Sequence, residues 1–486
     1  MHITSLPGEY GIGTMGESAY DFVDFLEKSG QKYWQILPLN HTGYGDSPYQ
    51  SCCAFSGNPY LIDLDMLEEE GLLEKGDYSE IVFSENEKEV DYELIFTEKL
   101  EILRIAYENS KGDYDEEIKD FKNEEEYWVN EYGLYMAIKS HLNYIGLDEW
   151  EYKLRKRDKD TLEKYKLLLE DEIEYWIFLQ YQFFKQWKNI KEYANYKGVE
   201  IIGDIPIYVA ADSVDIWINP KYFQLDNDLR PKNVAGCPPD TFSKTGQLWG
   251  NPIYDWVEHE KDNYKWWIKR IETSTKLYDV IRIDHFRGFE AYYEIPYGSE
   301  TAKNGKWIKG PNVKLFNAIK KELGDVEIIA EDLGYMTEEV MEFRQATGYP
   351  GMKVLQFAFD TEEKSEYLPH CYPFNCVAYT GTHDNDTAVG WLEESGNEKE
   401  VKYCKDYLKL TREEGYNWGF IRGVWGSTAN ITIALMQDFL NLGSDYRMNK
   451  PSELGWWKWR VEEGTLNDKL AKRIYGITAL YNRLNN

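Results

Sequence analysis

Three short apolar runs in the second half of the chain end in side chains that can do chemistry. Tyr278-Asp-Val-Ile-Arg-Ile-Asp-His-Phe286 carries Arg282, Asp284 and His285; Val326-Glu-Ile-Ile-Ala-Glu-Asp-Leu-Gly334 closes on Glu331 and Asp332; Asn375-Cys-Val-Ala-Tyr-Thr-Gly-Thr-His-Asp384 closes on His383 and Asp384. Carboxylates gathered at one mouth suit glycosidic bond chemistry. It needs a nucleophile, an acid to protonate the leaving oxygen, and charge support for an oxocarbenium-like transition state. Arg282 and Asp284 are two residues apart, so the strand pleat points both the same way and the guanidinium keeps the carboxylate ionised. Asp284 is therefore the candidate nucleophile. Glu331 and Asp332 face opposite sides of a continuing strand, and pattern alone leaves open which of them faces the mouth. The plain structural alternatives are a turn or helix cap for each Asp, an ion pair for Arg282 and a hydrogen-bonded core histidine for His383.

The elements that must position these groups are short strands alternating with helical stretches. Further strand candidates are Gln31-Lys-Tyr-Trp-Gln-Ile-Leu-Pro-Leu39, Val199-Glu-Ile-Ile-Gly-Asp-Ile-Pro-Ile-Tyr-Val209, Gly351-Met-Lys-Val-Leu-Gln-Phe357 and Asn430-Ile-Thr-Ile-Ala-Leu435. This alternation predicts parallel βαβ units and an α/β fold, a (β/α)8 TIM barrel with its site at the C-terminal strand ends. A chain of 486 residues accommodates one such barrel of roughly 250 residues plus insertions. We expect a single catalytic barrel domain over 1–486, with a mainly helical insertion over 66–196, where Ile173, Trp176, Ile177, Phe184 and Trp187 recur at helical spacing. A second insertion, over 215–263, is rich in turn formers and is expected to be irregular backbone carrying an active-site lid. No separate C-terminal β domain is expected.

The formal charge of −31, from 86 acidic against 55 basic residues, repels phosphate backbones and anionic membrane surfaces, so neither nucleic acid nor membrane is an expected partner. Six cysteines without Cys-x-x-Cys spacing argue against a zinc cluster and fit a reducing compartment. With no signal-like start and no apolar run near about 18 residues, the chain reads as soluble and cytoplasmic. Aromatic residues make up 16%, and such rings stack on the apolar faces of sugars.

Seven segments together resemble the 4-α-glucanotransferases called amylomaltases or disproportionating enzymes, glycoside hydrolase family 77 of the α-amylase clan. They are His2-Ile-Thr-Ser-Leu-Pro-Gly, Asp46-Ser-Pro-Tyr-Gln, Gly203-Asp-Ile-Pro-Ile-Tyr-Val, Phe242-Ser-Lys-Thr-Gly-Gln-Leu-Trp-Gly-Asn-Pro252, Arg282-Ile-Asp-His-Phe-Arg-Gly, Ile329-Ala-Glu-Asp-Leu-Gly334 and Gly381-Thr-His-Asp-Asn385. The resemblance implies Asp284 as nucleophile, Glu331 as acid/base with its pKa raised by burial and by Asp284, and Asp384 as the transition-state carboxylate with His383 beside it. It implies sugar contacts from Asp204, and from Tyr49 with Ser47 in the donor subsite. A lid bearing Asp240, Gln247 and Trp249 would cover the acceptor side. Phe357 matches an acceptor-subsite position, with core packing as the equal alternative. The implied reaction is retaining double displacement on maltooligosaccharides and α-1,4-glucans such as starch or glycogen, with glucose as an acceptor and neither cofactor nor metal. An α-glucan hydrolase with the same carboxylates is the neighbouring reading; a non-catalytic glucan binder would have lost one of them. At the start of the chain the resemblance departs from the family, whose members carry about a strand's worth of residues before the His2 segment. If the sequence is complete, the first barrel strand is mostly missing, leaving an exposed edge beside the last.

Overall fold

A computed structural model describes residues 1–484 apart from 44, 240–242, 335, 363 and 452. Its strands, in chain order, are β1 (Tyr33–Gln35), β2 (Glu200–Ile205), β3 (Asn233–Cys237), β4 (Gln247–Pro252), β5 (Val280–Ile283), β6 (Ala291–Pro296), β7 (Lys306–Lys309), β8 (Ile328–Ala330), β9 (Gly351–Val354), β10 (Cys376–Tyr379) and β11 (Ile431–Ile433). All seven strand candidates from the sequence fall on parallel ladders, one in the order β1-β2-β5-β8 and the other β9-β10-β11. Ala330 N donates to Pro350 O across the junction between them at 2.9 Å.

Strand parity sorts the side chains. Ile202, Val280, Ile329, Met352, Val354, Val377 and Tyr379 form one apolar cluster enclosed by the parallel strands. Their neighbours Ile201, Ile281, Ile328 and Ala378 instead join the larger core under the surrounding helices. Two residues beyond Ile202, Val280 and Ile329, the same face carries Asp204, Arg282 and Glu331, so the apolar floor gives way to charge at the strands' C-terminal ends. The ladder edge at β11 is half-buried throughout. Across from it, Tyr379 Oη donates to Gln35 Oε1 at 3.0 Å and Trp34 Nε1 to Met1 O at 2.7 Å.

Between β1 and β2 the chain is largely helical, and its longest helix, Glu170–Tyr196, buries Trp176, Ile177 and Trp187. Gln180 of that helix exchanges hydrogen bonds with Gly57 (2.7 and 3.0 Å). Gly57 has no alternative, because a Cβ there would lie 2.0 Å from Phe183. The stretch 215–263 differs from the irregular backbone expected of it. β3 and β4 are paired antiparallel and extend through β6 and β7 into a sheet of order β4-β3-β6-β7. Its glycines serve this hairpin: Gly236 sits where the register shifts, and Gly246 and Gly250 take φ of 70° and 80°.

Candidate active site

Arg282 is buried and joins two carboxylates, reaching Asp204 Oδ2 at 2.5 Å and Asp284 Oδ1 at 3.0 Å. The first pairing follows from register, since Asp204 on β2 lies directly beside Arg282 on β5. Asp284 follows the last residue of β5 and its side chain is 30% exposed, so it is held by the guanidinium yet open to the mouth.

The choice between Glu331 and Asp332 is settled by parity. Glu331 continues the Ile329 face into the mouth, where its oxygens accept from His285 N (2.7 Å) and Leu333 N (2.8 Å). Asp332 turns away to accept from Met352 N at 2.7 Å and to pair with Arg344 at 3.0 Å. Burial first, then the Asp284 charge, pushes Glu331 up to about 8, against the pull of Arg282 and the two amides. Burial and its neighbour's charge thus favour the protonated form of Glu331 beside the half-exposed Asp284 carboxylate. Asp204 is wholly buried and is raised to about 6 by burial, with Arg282 opposing and Asp284 adding to the shift.

A chain of contacts carries the site to Asp384. Tyr49 Oη donates to Asp204 Oδ2 at 2.9 Å and lies 3.4 Å from His383 Nδ1, while its ring stacks on the imidazole at 5.0 Å and 24°. Burial and the Asp204 charge hold the Tyr49 phenol well above its usual pKa, which keeps it a neutral donor. His383 Nε2 lies 3.4 Å from Asp384 Oδ1, and Asp384 is the most open of the three carboxylates, with 47% of its side chain exposed. Ser47 accepts from Tyr49 N at 3.3 Å inside a turn closed by Gln50 N to Ser47 O, so the turn reading and the site reading describe one loop.

On the other side, Gln247 and Trp249 stand on β4, and Trp249 Nε1 donates to Gln247 Oε1 at 3.0 Å. The Trp249 ring meets His285 edge-on at 4.8 Å and 87°. Phe357 is 37% exposed and touches Tyr367 edge-on, so it stands at the surface rather than in the core. Asp240 lies outside the described residues. Sequence reasoning missed Asn449, whose Nδ2 donates to Asp384 Oδ1 at 2.6 Å, and Arg447, which donates to Asp384 O at 2.9 Å. It also missed Trp457, whose ring lies within 6 Å of both Tyr49 and His383 (5.9 and 5.7 Å). None of the three sits at a strand end, so no periodic signal marks them. Among the described residues no cluster of His, Cys, Asp or Glu could hold a metal ion, and no helix is long and apolar enough to cross a membrane.

The sequence profile of the family described as 4-alpha-glucanotransferase, glycoside hydrolase family 77, matches residues 1–467. A 4-alpha-glucanotransferase of Clostridium butyricum is 58% identical over 99% of this chain and all of its own. One from Streptococcus pneumoniae is 49% identical over 100% of this chain and 97% of its own. The solved amylomaltase of Streptococcus agalactiae, in complex with acarbose, superposes with a TM-score of 0.97 at 44% identity, covering 100% of this chain and 99% of that one. An amylomaltase from Corynebacterium glutamicum, at 18% identity, shares the fold with a TM-score of 0.79 over 100% of this chain and 74% of its own. With a (β/α)8 architecture, carboxylates at its mouth and relatives matched end to end, this chain belongs to the 4-alpha-glucanotransferase family, glycoside hydrolase family 77.

Proposed function

We propose that the chain moves a segment of an α-1,4-glucan to the 4-hydroxyl of glucose or another glucan by retaining double displacement. The observation that carries this reading is the pairing of a half-exposed carboxylate, Asp284, with a buried neighbouring carboxyl, Glu331, whose protonated form is favoured by burial and by that same charge. Asp284 attacks the anomeric carbon while Glu331 gives its proton to the departing glycosidic oxygen, leaving a glycosyl ester on Asp284. Forming that ester removes the charge that raised Glu331. The carboxylate left behind is then the base for the incoming 4-hydroxyl, whose oxygen displaces Asp284 and forms the new α-1,4 bond.

Asp384, oriented by Asn449 and His383, is placed to grip hydroxyls of the reacting ring; Asp204 and Tyr49 line the same pocket, and Trp249 with Gln247 forms the acceptor-side cover. Water exclusion by that cover decides between transfer and hydrolysis. A cytoplasmic home is supported by six cysteines scattered without Cys-x-x-Cys spacing, a usage that fits a reducing compartment. The test is incubation with maltotriose. Transfer yields glucose and longer oligomers with little gain in total reducing ends, whereas steady growth of reducing ends would replace this reading with hydrolysis.

A further inference from the structure

His285 takes φ 51° and ψ 44°, the left-handed region that costs an L-residue with a Cβ, at the point where β5 gives way to the short 3-10 turn Phe286–Phe289. Strain of this kind persists only where neighbours hold it. The turn aims the His285 amide at Glu331 Oε2, 2.7 Å away. The ring stands edge-on to Trp249 at 4.8 Å, and its other flank is closed by Gly288, where a Cβ would lie 3.0 Å from His285 Cδ2. Nε2 is buried without a protein partner. Burial, with Arg287 adding, pushes the imidazole down to about 3, so the ring is neutral throughout the working range. One residue therefore touches the acceptor-side cover with its side chain and the acid/base with its backbone.

We propose that His285 is a positioning residue through which the Trp249 ring holds the amide that grips Glu331. This rests on the reading of Glu331 as acid/base and of Trp249 as cover. A carboxylate that accepts an N–H is favoured over its acid, so the clamp biases Glu331 towards the base that the second displacement needs. The other groups facing Glu331 are Asp284 and Arg282 from the end of β5, Tyr367 from the segment after β9 and Tyr379 from β10.

The experiment is the pH dependence of kcat/KM for maltotriose disproportionation in His285→Ala, His285→Asn and Trp249→Ala. Alanine keeps the cost of the left-handed turn and loses the ring that holds it. The amide swings away, and the alkaline limb moves up by about one pH unit, the size expected for one hydrogen bond to a charged group. Asparagine tolerates the left-handed region and keeps the limb at its parental position. Trp249→Ala moves the limb in the same direction as His285→Ala. An unmoved limb in His285→Ala overturns the proposal, as does a limb that moves equally in the alanine and asparagine variants. A limb unmoved in Trp249→Ala removes the cover from the clamp and overturns it too. Glu331→Gln separates the underlying reading: substantial turnover with the parental alkaline limb there would remove Glu331 as acid/base, whatever His285 does.

Discussion

Asn449→Ala removes one hydrogen bond, and the structure sets its size. The Asn449 Nδ2 to Asp384 Oδ1 contact is 2.6 Å, and the alanine variant keeps both the Asn449 N to His383 O bond and the Arg447 bond to Asp384 O. The loop stays where it is while the carboxylate is freed to rotate. A hydrogen bond to a charged group contributes about 1.5–3 kcal/mol. Since the Asp384 side chain is 47% exposed, water replaces part of the lost donor and the lower end applies. If the bond acts on the transition state, about 1.5 kcal/mol corresponds to a roughly tenfold fall in kcat/KM. Initial rates of glucose release from maltotriose measure it, with the thermal unfolding midpoint as a control that should barely move. A kcat/KM within twofold of the parent would show that Asp384 does not depend on Asn449 in the transition state, and the chain of contacts from Tyr49 to Asp384 would lose its catalytic meaning.

Asp284→Asn should abolish turnover while isothermal calorimetry still records oligosaccharide binding; substantial residual transfer would remove Asp284 from its role. Trp249→Ala should raise the yield of new reducing ends relative to glucose released from maltotriose, and an unchanged ratio would refute the cover reading. Because Glu331 must be protonated to act on the free substrate, kcat/KM should fall as pH rises through about 8. An alkaline limb near pH 5 would mean that an unperturbed carboxyl is titrating instead. Asp332→Ala should behave in the opposite way to Glu331→Gln: it strands the half-buried Arg344 and costs about 3 kcal/mol of unfolding free energy, yet leaves kcat within about threefold. A large loss of kcat at undiminished stability would contradict the parity assignment.

What the sequence could reveal tracks how periodic each feature is. Strands fully buried on both faces, such as Val280–Ile283, stand out as continuous apolar runs, and their parity carries forward from Ile329 to Glu331 once the ladder is known. The antiparallel pairing of β3 and β4 was hidden because its glycines and prolines look the same in a hairpin as in a loop. Asn449 follows the 3-10 turn Ser444–Tyr446 in a stretch whose only pattern is tertiary contact. His285 was visible at a strand end, but its left-handed backbone and its hold on Glu331 follow from packing against Gly288 and Trp249, which spacing does not encode.

Every step of the transfer depends on a covalent glycosyl ester on Asp284, and trapping that ester tests it directly. Glu331→Gln, supplied with an α-maltosyl fluoride whose leaving group needs no proton, should accumulate the ester. Peptide mass spectrometry should then find one maltosyl unit on the fragment containing Asp284. A label on any other carboxylate, or transfer product of inverted configuration with no labelled peptide, would contradict the account.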